Sequence, residues 1–116
     1  MAVSEISTFF CPTRLYMGIG SHRKLGDLLR EQGCNRLFVV IDGALFSGEF
    51  YTNIRTMLDD LGIAIASYSQ IEPDPSAVTV ERAFVACQAH QATALLAVGG
   101  GSAMDGAKAV GILATN

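Results

Sequence analysis

The stretch Ala94-Leu95-Leu96-Ala97-Val98-Gly99-Gly100-Gly101-Ser102 decides the reading of this sequence. Five apolar residues in succession mark a strand covered on both faces, as in a parallel sheet. Three glycines and a serine then lead into Ala103–Ala114, a small-residue stretch that reads as a helix to the end of the chain. Glycine permits positive φ and lets a ligand approach the backbone. A helix beginning there offers unpaired N–H groups and the positive end of its dipole. The two features together predict an anion site suited to a pyrophosphate.

The same rhythm extends toward the N-terminus. Leu37-Phe38-Val39-Val40-Ile41 is again apolar at every position, and Asp42-Gly43 ends it. A helix is predicted from about Ser47 to Leu61, with Phe50, Ile54, Leu58 and Leu61 as its inner stripe and Gly62 as its stop. Ile63–Tyr68 reads as a further strand. Glu72-Pro73-Asp74-Pro75-Ser76 breaks the pattern and starts another helix, with Val80, Phe84 and Cys87 inward. Near the N-terminus, Pro12 splits an extended stretch into two short edge strands, near Ser7–Cys11 and Arg14–Met17. Gly18-Ile19-Gly20 turns, Ser21 is a candidate N-cap, and Leu25, Leu28 and Leu29 share one face of a helix that ends at Gly33. Strands alternating with helices predict an α/β fold, a parallel sheet with helices on both faces and an N-terminal edge hairpin.

Composition narrows the functions. Eight Lys and Arg against 11 Asp and Glu, with no basic run, argue against nucleic acid as a partner. No apolar stretch approaches the ~18 residues of a spanning helix, and Met1–Phe10 lacks the basic and apolar regions of a secretory signal. Cys11, Cys34 and Cys87 are an odd number with wide spacing, which suits reduced thiols in a cytoplasmic protein.

Few residues offer chemistry. The Rossmann fingerprint fails at Met104, and the P-loop pattern fails at Ala107, where lysine belongs. The glycine run exceeds what a tight strand-to-helix turn requires, although such a turn without ligand is the plainer alternative. Asp42 lies at the carboxyl end of its strand, the edge at which open α/β sheets bind ligands. A carboxylate there accepts the hydroxyls of an adenosine ribose and repels a 2′-phosphate, favouring NAD over NADP; a turn role is the alternative. Asp74 is expected to N-cap the helix with Pro75 at N1, the competing reading being a place beside a nucleotide. Asp105 falls in the first turn after the glycines, favourable to the dipole. Cys87 and His90 share a helix face, but two ligands do not make a metal site. No residue presents itself as a catalytic acid or base.

Gly99-Gly100-Gly101-Ser102-Ala103-Met104-Asp105-Gly106-Ala107-Lys108 resembles the iron-dependent (group III) alcohol dehydrogenases, whose N-terminal domain carries Gly-Gly-Gly-Ser-x-x-Asp-x-Ala-Lys. The resemblance runs through the whole chain, including Val40-Ile41-Asp42 and Glu72-Pro73-Asp74-Pro75, where that family usually has Pro-Asn-Pro. It implies a dehydroquinate synthase-like N-terminal domain. Gly100, Gly101 and Ser102 would hold the pyrophosphate of NAD(P), Asp42 would sit by the ribose, Asp74 would stand at the nucleotide contact of that family's Asn, and Asp105 would border the cofactor cleft. It implies hydride transfer between a nicotinamide and an alcohol, aldehyde or ketone, in a homo-oligomer. The family's second, helical domain supplies an Asp and several His residues to iron or zinc, and none of those positions occurs here. Residues 1–116 are therefore expected to be a truncated NAD(P)-binding domain, inactive alone, without the C-terminal helical metal-binding domain. A non-catalytic nucleotide-binding module and an assembly domain with a free sheet edge are the competing readings.

Overall fold

The computed structural model describes Met17 and residues 20–115. The expected edge hairpin, Cys11 and Gly18-Ile19 lie outside the described residues. A single 3₁₀ turn, Ser21–Lys24, leads into α1, Leu25–Glu31. There follow β1 (Arg36–Ile41), the short α2 (Gly43–Phe46), α3 (Glu49–Asp60) and β2 (Ala64–Tyr68). The chain continues through α4 (Ala77–His90), β3 (Ala94–Val98) and α5 (Gly101–Thr115). Among the described residues no helix is long and apolar enough to cross a membrane.

The three strands form one parallel sheet in the order β2-β1-β3. Leu37 pairs with Ile65 on one side and Ala94 on the other. All five residues Leu37–Ile41 are fully buried, because β1 is central and covered on both faces. Their alternation divides the core. Leu37, Val39 and Ile41 face Leu29 of α1 and Tyr51, Ile54 and Leu58 of α3. Phe38 and Val40 face Ala83 and Cys87 of α4 and Ala103, Ala107 and Val110 of α5. The predicted α/β sheet with helices on both faces is observed. β3 is only partly buried as far as Ala97, since β1 alone pairs with it among the described residues.

Three local expectations change. Ser21 does not cap a helix; it begins the 3₁₀ turn, and Gly20 precedes it at φ 81°. The helix expected from about Ser47 begins at Glu49, after the unexpected short α2 and a break at Ser47-Gly48. Its inner stripe is Tyr51, Ile54 and Leu58, while Phe50 and Leu61 are exposed. Tyr51 replaces Phe50 because its hydroxyl meets the Ser67 hydroxyl on β2 while its ring fills the core. Burial pushes the Tyr51 phenol above its ordinary pKa. Finally, Asp74 is not the cap of α4. Ser76 is: its hydroxyl accepts from the Thr79 N–H at 3.2 Å. Asp74 instead takes a left-handed conformation, φ 54°, within the loop.

Candidate functional site

Parallel strands deliver their carboxyl ends to one edge of the sheet, and the candidate residues gather there. β1 ends at Ile41, β2 at Tyr68 and β3 at Val98. The Asp42 N–H continues the ladder by donating to the Val98 carbonyl at 2.9 Å. Asp42 and the glycine turn are therefore neighbours through the backbone. On the other side of Asp42, a Cβ added to Gly43 would stand 3.0 Å from the Ser69 carbonyl oxygen. The Asp42-Gly43 step thus sits between the ends of β2 and β3.

Asp42 ends β1 and caps α2 in one residue. Its Oδ1 accepts from the Ala44 N–H at 3.1 Å. A carboxylate has two acceptor oxygens, so Oδ2 remains for another donor. The side chain is exposed at the sheet edge. The sequence left a turn role and a ligand role as alternatives, and the geometry accommodates both.

The three glycines divide the work. Gly99 has φ 137°, and a Cβ there would lie 2.8 Å from the Asp42 Cβ and 3.4 Å from the Ala103 Cβ. Gly99 holds an angle that side chains rarely adopt, and Asp42 also approaches it closely. A Cβ on Gly100 or Gly101 would meet nothing within 4 Å. Their surroundings are open. The first helical bond of α5 runs from the Met104 N–H to the Gly100 carbonyl at 3.1 Å. The N–H groups of Gly101, Ser102 and Ala103 precede it and have no acceptor within the helix. Open space, N–H groups in series and a positive dipole end coincide at one place.

The loop between β2 and α4 packs onto this helix. A Cβ on Gly106 would meet three atoms of the Ile71 side chain at 3.1–3.3 Å, so Ile71 lies directly on the α5 backbone. Next to it, the Glu72 carboxylate accepts from the Ser76 N–H at 3.0 Å and from the Thr79 hydroxyl at 2.8 Å. Those bonds, the Thr79 hydroxyl first, hold the Glu72 carboxyl below its ordinary pKa. Asp74 is exposed between the two ends of this closed loop. Ile71 on Gly106, rather than Asp74, makes the connection to α5. Asp105 is exposed on α5. The sequence reading missed Gly99 as Asp42's neighbour and Ile71 and Glu72 as loop anchors. The sequence took the surplus glycine as a sign of ligand binding and gave no signal of its contact with Asp42.

At the opposite edge the groups are structural. The Arg36 Nε–H donates to the His90 carbonyl at 2.6 Å, and His90 Nε2 lies 3.1 Å from the Ala64 carbonyl. Cys34 and Cys87 are buried free thiols, and burial pushes the Cys87 thiol up. Among the described residues no three His, Cys, Asp or Glu side chains gather as a metal site.

The chain as a whole has counterparts among known proteins. The model of the family described as iron-containing alcohol dehydrogenase matches residues 12–116. The chain belongs to the iron-containing alcohol dehydrogenase family. It is 34% identical over 106 residues to a probable NADH-dependent butanol dehydrogenase 2 of Bacillus subtilis, covering 91% of this chain and 27% of that protein. It is 28% identical over 111 residues to an NAD-dependent methanol dehydrogenase of Bacillus methanolicus, covering 96% and 29%. The crystal structure of an NADH-dependent butanol dehydrogenase A from Thermotoga maritima superposes with a TM-score of 0.83 at 29% identity, covering 91% of this chain and 27% of that one. The chain thus spans under a third of the length of these family members.

Proposed function

We propose that this chain is the NAD-holding part of a metal-dependent alcohol dehydrogenase, which transfers hydride between the nicotinamide and an alcohol or aldehyde. The observation that carries the reading is the union of Asp42 with the glycine turn at the carboxyl edge of the sheet, sealed by the bond from Asp42 N–H to Val98. The names of the relatives, NADH-dependent and NAD-dependent, support the choice of cofactor.

The residues fit a dinucleotide. The N–H groups of Gly101, Ser102 and Ala103 face a pyrophosphate, with room for it above Gly100 and Gly101. Asp42 Oδ2 accepts from a ribose hydroxyl while Oδ1 stays on the Ala44 N–H. A 2′-phosphate brought to the same carboxylate is repelled, which favours NAD over NADP. Asp74 and Asp105 border the cleft. Bound NAD supplies the hydride acceptor; this chain's residues bind and orient it.

The iron or zinc of the family finds no seat among the described residues, since no three ligating side chains come together. A second reading is a nucleotide-holding module without chemistry of its own. The coding sequence that follows Asn116 separates the two: a helical continuation with an Asp and several His residues supports the enzyme. A cytoplasmic setting suits the free thiols Cys34 and Cys87. The assembly we propose is a homo-oligomer, which sedimentation velocity checks.

Titration calorimetry tests the binding reading. NAD is expected to bind more tightly than NADP, and Asp42→Gly to weaken NAD by about tenfold, the worth of a hydrogen bond to a charged group. A folded chain that takes up neither nucleotide refutes the reading.

A further inference from the structure

We infer that Gly99 is a specificity-positioning residue: its missing side chain is the space that seats Asp42 against the glycine turn, and through Asp42 it sets the preference for NAD. The inference rests on the reading that Asp42 meets the ribose.

A phosphate turn explains glycine at positions 100 and 101, where an added Cβ would point into open space. Gly99 differs: its φ of 137° already favours glycine, and the space beside it is closed as well. There an added Cβ would stand 2.8 Å from the Asp42 Cβ and 3.3 Å from the Asp42 nitrogen. Both are atoms of a residue whose backbone is fixed twice over. The Asp42 N–H is bonded to Val98, and its side chain caps α2 through Ala44. Asp42 cannot yield to a methyl group at position 99 without giving up one of these bonds. The third neighbour, Ala103 Cβ at 3.4 Å, belongs to the first turn of α5. Position 99 is thus the point at which the ribose end and the pyrophosphate end of the site touch. A side chain there pushes them apart.

The consequence concerns selectivity, not affinity alone. Displacing Asp42 removes both the acceptor for a ribose hydroxyl and the charge that repels a 2′-phosphate. Gly99→Ala therefore weakens NAD while NADP, relieved of the repulsion, binds as well as before or better. A residue that served only the pyrophosphate would weaken both equally, because the two dinucleotides share it.

The test is a double-mutant cycle on the full chain, with Gly99→Ala, Asp42→Gly and the double variant. Two quantities are read: the ratio of NAD to NADP affinity by titration calorimetry, and exchange of the Ala44 amide by NMR. Gly99→Ala is expected to lower the affinity ratio about tenfold and to speed Ala44 exchange; in the Asp42→Gly background it changes the ratio no further. Equal weakening of both nucleotides with unchanged Ala44 exchange overturns the inference. Should Gly99→Ala fail to fold, the double variant decides. Recovery of folding shows that the collision is with the Asp42 side chain, whereas continued failure shows that Gly99 serves its own backbone angle and overturns the inference. If the wild-type chain binds neither nucleotide, the ribose reading fails and the selectivity claim falls with it. Ala44 exchange still shows in that case whether Gly99 seats Asp42.

Discussion

Asp42 caps α2 with one oxygen and, in the proposed function, meets a ribose with the other, and substitutions can separate the two roles. Asn is as good a helix cap as Asp, but it carries no charge. Asp42→Asn is therefore expected to leave stability within about 0.5 kcal/mol by urea unfolding while reducing the preference for NAD over NADP. Glu72 is a different case, a carboxylate serving the loop. Its folded pKa is depressed, so it stabilises the chain above its unfolded pKa, and that contribution is lost as pH falls through the folded value. The urea midpoint of the wild type should exceed that of Glu72→Gln at pH 7, and the gap should close once the pH drops well below the ordinary carboxylate value of 4.5. At this scale the sequence was half legible. Asp42 announced itself by following five apolar residues. Asp74 misled, because Asp-Pro resembles a cap followed by N1. What fixes the start of α4 is a web of Glu72, Ser76 and Thr79, and spacing alone does not reveal which hydroxyl wins the cap.

The ends and seams of the helices set the next level of stability. Ser76→Ala removes the cap of α4 and is expected to cost about 1 kcal/mol. At the other end Gln91 holds φ 57°, a strained angle for a residue with a side chain. Gln91→Gly should raise stability by about 0.5–1 kcal/mol, offsetting left-handed strain against the freedom glycine gains when unfolded. Both changes are measured by urea unfolding. The seam between α5 and the preceding loop is Ile71 on Gly106. Gly106→Val drives Ile71 off the helix, at a cost of about 1–3 kcal/mol in the same measurement. Element types were readable because buried strands are uniformly apolar and glycines punctuate them. The inner face of α3 was not. Periodicity ranks Phe50 above Tyr51, yet the Ser67 hydroxyl that receives Tyr51 lies on another element. Arg55 adds a cation 5.0 Å from the Tyr51 ring centre. Such partners exist only once the helix has docked.

The whole molecule hangs on its central strand. Phe38 is fully buried and meets both α4 and α5 through its cluster. Phe38→Ala is expected to cost about 3–5 kcal/mol, a large share of the ~5–15 kcal/mol that holds a domain together. Loss of the far-UV circular dichroism signal at moderate temperature checks it. The sequence announced a parallel α/β architecture but not the strand order. A strand apolar at every position does not disclose its neighbours or which helix covers which face. That same centrality has a consequence for how the chain is made. Leu37–Ile41 leaves the ribosome well before Ala64–Tyr68 and long before Ala94–Val98, yet it pairs with both. This wholly apolar segment of the nascent chain therefore emerges before both of its partners and stays half-paired until β3 arrives, an interval in which it is the natural client of a chaperone.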